Sequence, residues 1–227
     1  MNSVENIFQK EARNYDMIIK RIIPFYDEIL ETLVSCIPFP VEKKIKIIDL
    51  GSGTGTLALK LKKKYPNAAI KCLDIAEDMI KISKQKLNQY LEIQFQVEDL
   101  HNFDFNEKYD LIISSLALHH LRGDINKKKF FKKIINNLSS GGCFYNADVT
   151  LATNEFLEKF YLFKWINYMK DSYSIEEIYN NLIPKYYHRE IPTQLVKQIN
   201  WLLDLGFSNV DILWKYYHFV IYCGFKL

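Results

Sequence analysis

Lys46-Ile-Ile-Asp-Leu-Gly-Ser-Gly-Thr-Gly55 is an apolar run that stops abruptly at glycines. The run Lys46 to Leu50 has the length and composition of a strand buried on both faces. Gly51 to Gly55 is then a turn, because glycine serves where backbone bends sharply or approaches a ligand with no Cβ in the way. Thr56 to Tyr65 follows as an amphipathic helix with Leu57, Leu59 and Leu61 on its apolar side. Parallel sheets bind ligands at the carboxyl ends of their strands, and this turn sits at such an end. The dinucleotide fingerprint G-x-G-x-x-G is a rival reading, but the third glycine comes one residue early, at Gly55, and position 56 is Thr.

The same alternation continues outward. Ala69 to Leu73 reads as a strand ending in Asp74, Glu77 to Tyr90 as a helix, Ile93 to Val97 and Tyr109 to Ser114 as further strands. Asn126 to Leu138 reads as a helix, followed by a Gly141-Gly142 turn and a strand from Cys143 to Ala147. Strands alternating with helices define an α/β, doubly wound, mainly parallel sheet. Upstream, Tyr15 to Ser35 is an amphipathic helical stretch that Pro24 should bend or break. Downstream the alternation stops. Asn154 to about Asn181 reads as two aromatic-rich helices, and Ile191 to Leu205 as another, stopped by Gly206. Val210 to Tyr216 and Phe219 to Phe225 are joined so tightly that they must pair antiparallel, which completes seven strands.

Composition narrows the function classes. The chain has 227 residues, 48% hydrophobic and 25% charged, with a formal net charge of +3. That suits one globular α/β domain with a small appendage. No apolar run approaches a membrane span, and the first ten residues carry no signal-type stretch, so a cytoplasmic enzyme is expected. Cys36, Cys72, Cys143 and Cys223 make no CxxC pair and no metal-ligand spacing with histidine, and read as buried free thiols. The runs Lys60 to Lys64 and Lys127 to Lys133 fall on helices at the outer flanks of the sheet and read as solvated faces. Nucleic acid is therefore disfavoured as a partner. The 15 Tyr and 15 Phe thicken after residue 156, as around a ligand cavity.

The glycine turn with Asp49 resembles motif I of class I S-adenosylmethionine (SAM)-dependent methyltransferases, acidic residue-x-G-x-G-x-G. Further stretches match that family in order. Asp74 stands where the family's carboxylate accepts the ribose hydroxyls, and Ile75 and Met79 where adenine packs. Glu98-Asp99-Leu100 follows the third strand, where an acidic residue meets the adenine amino group. Ser114 and Ser115 open the stretch Ser114-Ser-Leu-Ala-Leu-His-His120, placed beside the methionine moiety. Leu138-Ser-Ser-Gly-Gly142 matches the L-x-x-G-G turn. The resemblance implies SAM as cofactor, S-adenosylhomocysteine (SAH) as product, and Asp49, Gly51, Ser52, Gly53 and Gly55 as cofactor-binding residues. Phe8, Ala12, Tyr15 and Asp16 resemble the N-terminal lid of small-molecule methyltransferases, with Tyr15 at the methionine end and Arg13 or Arg21 near its carboxylate.

On the acceptor side, His119, His120 and Asp148 are candidate catalytic bases, with His188 and His218 behind them. Tyr145, Phe156, Tyr161, Trp165 and Tyr217 are candidate substrate-binding residues that would roof a flat or apolar acceptor. The organisation expected is a lid over 1–40, a SAM-binding core over 41–150, a helical insert over 151–206 and a closing hairpin over 207–227. The function implied is methyl transfer to N or O of a small molecule, by a monomer or a homodimer. The layout is also similar to relatives of carboxy-SAM synthase, which makes a tRNA-modification cofactor. The sequence shows no Arg-Tyr pair placed for that enzyme's extra carboxylate. A SAM-binding protein without catalysis is the remaining alternative.

Overall fold

A computed structural model describes residues 14–189 and 191–227, with the side chains of 187–189 outside the description. Phe8, Ala12, Arg13 and the His188 side chain therefore lie outside the described residues.

The sheet has seven strands: β1 (Lys46–Leu50), β2 (Ala69–Asp74), β3 (Ile93–Val97), β4 (Tyr109–Ser115), β5 (Leu138–Val149), β6 (Ser208–Tyr216) and β7 (Phe219–Phe225). Their order is β3-β2-β1-β4-β5-β7-β6. The first five are parallel, and β7 runs antiparallel between β5 and β6. The expected fold is thus observed, down to the closing hairpin.

Consecutive apolar residues feed opposite faces, as a sheet covered on both sides requires. Ile47, Leu111, Ile113 and Tyr145 join one core with Leu30, Leu33, Leu61 and Tyr65. Ile48, Ile112 and Phe144 join the other with Phe131, Ile134, Leu202 and Tyr222. The first face is covered by α1 (Tyr15–Ile22), α2 (Tyr26–Ser35) and α3 (Thr56–Lys64). Pro24 and Phe25, whose φ is 58°, separate α1 from α2 where a break was expected. The other helices are α4 (Glu77–Lys86), α5 (Asp124–Asn137), α6 (Glu155–Met169), α7 (Ile175–Glu177), α8 (Ile183–Arg189) and α9 (Leu195–Asp204).

Several local expectations change. The Gly141-Gly142 turn is a bulge inside a longer β5. Tyr109 pairs with Leu138, but Leu111 already pairs with Cys143, and the intervening residues loop outward. The segment 178–182 winds as a π-helix, with the Ile183 amide bonding back to Ile178 O. Pro184 follows at once and lacks the amide that regular winding would need, which fits a local π register there. Helix α9 starts four residues later than expected, because Thr193 O accepts from Leu151 N and Gln194 bridges to Leu151. Cys36 is exposed, whereas Cys72, Cys143 and Cys223 are buried. The lysine runs are not wholly solvated either. Lys62 is buried and donates to Ala68 O at 2.6 Å, and Lys127 is buried and donates to Ile191 O and to Thr193 Oγ1. Burial pulls both ammonium groups below the usual lysine range, against smaller opposing effects of nearby carboxylates.

Candidate active site

A cleft of about 810 Å³, mouth included, opens at the carboxyl ends of β1, β2 and β4. Asp74, Ile75, Met79, Asp99, Leu100 and His101, which end or follow β2 and β3, line it together with Ser115, Leu116, Ala117, His120, Leu121 and Arg122 from the end of β4 onward, and with Gly51, Gly53 and Tyr15. The two stretches meet where Arg122 N donates to His101 Nε2 at 3.2 Å. A smaller recess of about 350 Å³ shares Tyr15, Gly51, Gly53, Ser115 and Leu116, and adds Asp49, Ser52, Thr54 and Tyr26.

The glycines earn their positions sterically. A Cβ on Gly51 would meet Ala117 Cβ at 2.2 Å, so only glycine lets the 115–117 loop close on β1. Gly53, at φ 52°, has nothing within 4 Å of where its Cβ would stand, and its backbone faces open space. Its amide donates to Asp74 Oδ2 at 2.8 Å, while Ala76 N donates to Asp74 Oδ1 at 2.9 Å. Asp74 thereby ties the glycine turn to the end of β2. Burial raises its carboxyl above the usual range, and those amides partly offset the effect.

Asp49 differs from Asp74. It is 1% exposed, and neither carboxylate oxygen has a hydrogen-bond partner among the described residues. Burial, with the nearby Asp74 charge, pushes it up to about 8. Ser52 Oγ is buried and likewise unpartnered among the described residues. Unsatisfied buried acceptors are costly, so a recess that keeps them suits a ligand that supplies donors.

A network that the sequence does not announce ties α1 to the glycine turn. Asp16, next to Tyr15, accepts from Thr54 Oγ1 at 2.6 Å and Thr56 Oγ1 at 3.2 Å, and pairs with Lys86 Nζ at 2.7 Å. Lys86 also donates to both threonines. Burial alone would raise the Asp16 carboxyl, but the bonds from Lys86 and the threonines hold it below the ordinary value. The strand-turn-helix thus binds α1 through its own threonines. Each of these residues is unremarkable alone, and no local signal joins them. His101 and Arg122, which the sequence reading missed, directly follow quoted motifs: Glu98-Asp99-Leu100 and His119-His120-Leu121.

The expected acceptor-side residues separate. His120 lines the cleft, but His119 does not. His119 is 6% exposed, and its Nδ1 bonds to Asp148 Oδ1. Asp148 is 2% exposed and lines neither cavity described. Tyr145 points into the core, its hydroxyl donating to Cys36 O at 2.8 Å. Trp165 is buried and donates to Ile22 O at 2.6 Å, which staples α6 to α1. Phe156 is 76% exposed. Tyr161 and Tyr217 pack on each other at 5.5 Å between ring centroids, with Lys215 over the Tyr161 ring. None of these five aromatics lines either cavity described. Arg21 is exposed and lines neither. Glu98 stops beside the cleft, its backbone amide bonded to Asp74 O. Ser114 is buried and donates to Leu50 O, and Gly55 packs against Ser83, so neither lines the main cleft.

Comparison with known proteins places the chain. Residues 41–190 match the methyltransferase-domain family, and the chain belongs to it. It is a class I methyltransferase whose cofactor is SAM. The carboxy-SAM synthase of Nautilia profundicola is 27% identical over 96% of this chain and 93% of its own length. The malonyl-[acyl-carrier protein] O-methyltransferase of Acetivibrio thermocellus is 30% identical over 60% of this chain and 45% of its own. Among solved structures, the DhpI–SAM–HEP complex superposes at a TM-score of 0.66, with 18% identity over 98% of this chain and 95% of that one. Human N-acetylserotonin methyltransferase in complex with SAM gives 0.64 at 17% identity, and this chain spans 56% of it. Among the described residues, no helix is long and apolar enough to cross a membrane.

Proposed function

We propose that this enzyme transfers the methyl group of SAM to N or O of a small-molecule acceptor, with His120 as the proton acceptor. The observation that supports this reading is the make-up of the cleft, whose lining combines the carboxylates of Asp74 and Asp99, after β2 and β3, with the His120 imidazole after β4.

In this reading Asp74 accepts the ribose hydroxyls, Ile75 and Met79 flank the adenine, and Asp99 with Leu100 meets the adenine edge. The unpartnered Asp49 oxygens and Ser52, beside the open face of Gly53, suit a methionine ammonium and carboxylate. Bound SAM supplies an electrophilic methyl group. The protein orients the acceptor against it and excludes water, a contribution of roughly 7–11 kcal/mol. Tyr15 closes the cleft from α1, and His120 takes the proton that an O–H or N–H acceptor must lose. Residues 1–40 act as lid, 41–150 hold the cofactor, 151–206 flank the acceptor, and 207–227 complete the sheet. A screen of small amines, phenols and carboxylic acids, read by SAH release, tests this. For the acceptor found, His120→Gln should lower turnover about 100-fold or more and leave SAH affinity within about threefold. Undiminished turnover in that variant would refute the assignment.

The full-length similarity to carboxy-SAM synthases supports a second reading, an enzyme that handles a carboxylated form of the cofactor. Arg122, in the lining of the cleft, would meet an added carboxylate, whereas His101 is already engaged, its Nδ1 with Asp99 Oδ1 at 2.7 Å and its Nε2 accepting from Arg122 N at 3.2 Å. Mass spectrometry of the nucleoside released from the purified protein separates the two readings. SAM or SAH favours the first, and a carboxylated sulfonium nucleoside the second.

A further inference from the structure

Glu98-Asp-Leu-His-Asn-Phe103 follows β3 and turns at once. Aspartate favours the first position of such a turn, because its side chain accepts from the backbone two residues on. Both bonds form here. Asn102 N donates to Asp99 O at 2.9 Å, and His101 N donates to Asp99 Oδ1 at 2.9 Å. Phe103 is buried and Leu100 packs against the same core, which anchors the turn.

The His101 ring adds a third bond, and its direction is fixed. Arg122 N donates to Nε2 at 3.2 Å, so Nε2 carries the lone pair. The proton of the uncharged ring then sits on Nδ1, which lies 2.7 Å from Asp99 Oδ1 and donates to it. Asp99 Oδ1 therefore takes two donors from one residue, a backbone amide and an imidazole. Asp99 takes part in further interactions, but the two bonds on Oδ1 already restrain how its carboxylate turns. The His101 and Asp99 side chains keep 34% and 20% of their accessible surface, so the bond between them is a modest one.

The same ring ties two loops together. Arg122 follows the short helical turn Leu118–His120, and its carbonyl accepts from Asn126 Nδ2 of α5 at 2.9 Å. His101 thus joins the turn after β3 to the loop after β4. Asp99, Leu100, His101 and Arg122 all line the cleft.

We propose that His101 is a positioning residue that makes the cleft select a nucleobase with an exocyclic amino group. It acts through Asp99, whose carboxylate it holds as an acceptor directed at the base. This role rests on the reading that places Asp99 at the adenine edge. A carboxylate bonds the amino group of adenine and repels the carbonyl oxygen that hypoxanthine carries at the same position. A carboxylate free to turn away discriminates less between the two. His101 needs no contact with the ligand for this.

The test is calorimetric titration of the full chain with SAH and with S-inosylhomocysteine, the same molecule with that amino group replaced by oxygen. The ribose and methionine contacts are common to both, so the ratio of the two affinities reports on the base alone. Wild type should prefer SAH at least about tenfold. His101→Ala should cut that preference about threefold to tenfold, with the loss falling on SAH. His101→Asn, whose amide replaces the Nδ1–H donor but does not reach Arg122, should restore more than half of it. A ratio in His101→Asn no better than in His101→Ala assigns the effect to packing and overturns the proposal. Asp99→Asn should lose the preference altogether. That loss with an unchanged ratio in His101→Ala overturns the role of His101 and leaves the adenine placement standing. An unchanged ratio in Asp99→Asn overturns the adenine placement, and the role of His101 with it. Imidazole nitrogen NMR of wild type saturated with SAH, at about pH 8, needs no variant. The His101 proton should sit on Nδ1, and a proton on Nε2 overturns the proposal.

Discussion

Asp49→Asn should stabilise the free protein while weakening its hold on the cofactor. The two carboxylate oxygens of Asp49 are buried without partners among the described residues, and its carboxyl rises from the ordinary 3.8 to about 8. A folded value above the unfolded one means that the native state binds more protons between these limits. The contribution of this group to stability is therefore complete below about pH 4 and lost as pH rises to about 8. At about 1.4 kcal/mol per unit, the bound is on the order of 5 kcal/mol. A responsive interior with an effective dielectric of about 20 reduces this to about 1–2 kcal/mol, or roughly 2–8 °C in melting temperature. Asparagine keeps the shape and removes the charge. Scanning calorimetry of ligand-free protein should show Asp49→Asn melting higher at pH 8, with the gap closing towards pH 4. Titration with SAH should show weaker binding, because the proposed acceptor for the methionine ammonium is gone. A variant less stable than wild type at pH 8, or a gap independent of pH, would refute the reasoning and mean that a donor already satisfies Asp49.

Other residues give sharper contrasts. Asp74→Ala removes a buried acceptor of two backbone amides and the proposed ribose contacts, each worth roughly 1.5–3 kcal/mol; isothermal calorimetry should show SAH affinity at least tenfold lower. Lys86→Met cuts the tie between α1 and the glycine turn, so stopped-flow release of SAH should quicken about 3–10-fold with little change in melting temperature. Trp165→Ala empties a buried site and breaks the bond to Ile22 O, at a cost of about 3–5 kcal/mol in denaturant unfolding. Phe156→Ser, on an exposed ring, should stay within about 0.5 kcal/mol of wild type in the same assay.

These contrasts follow the line between what was and was not legible in the sequence. The strand Lys46 to Leu50, its glycine turn and the closing hairpin are local: composition and spacing decide them. The two cores divide by strand parity, so Ile47 and Ile48 could be sent to opposite faces from the sequence alone. Parity also explains why Tyr145 lies away from the cleft, since it shares the face of Cys143 and packs towards α2. Helix α6 is apolar around much of its circumference, so periodicity could not separate buried Trp165, Ile166 and Met169 from exposed Phe156, Phe160 and Phe163. Lys62 and Lys127 look like their neighbours in each run, and only the packed fold shows which lysine turns inward. The Asp16–Thr54–Thr56–Lys86 lock and the His119–Asp148 pair join distant segments, and no single-sequence pattern encodes such contacts. The pair His119-His120 drew attention as a candidate base, but which ring faces the cleft is a tertiary property of the 115–121 loop.

The most direct test of the central claim is calorimetric titration of the purified protein with SAM, SAH and NADH. Micromolar binding of the two sulfur nucleotides, abolished or weakened at least tenfold in Asp74→Ala, with no heat from NADH, is the result this account predicts. Binding of NADH in their place, or of none of the three, would contradict it where it is strongest, at the Asp49-to-Gly55 turn.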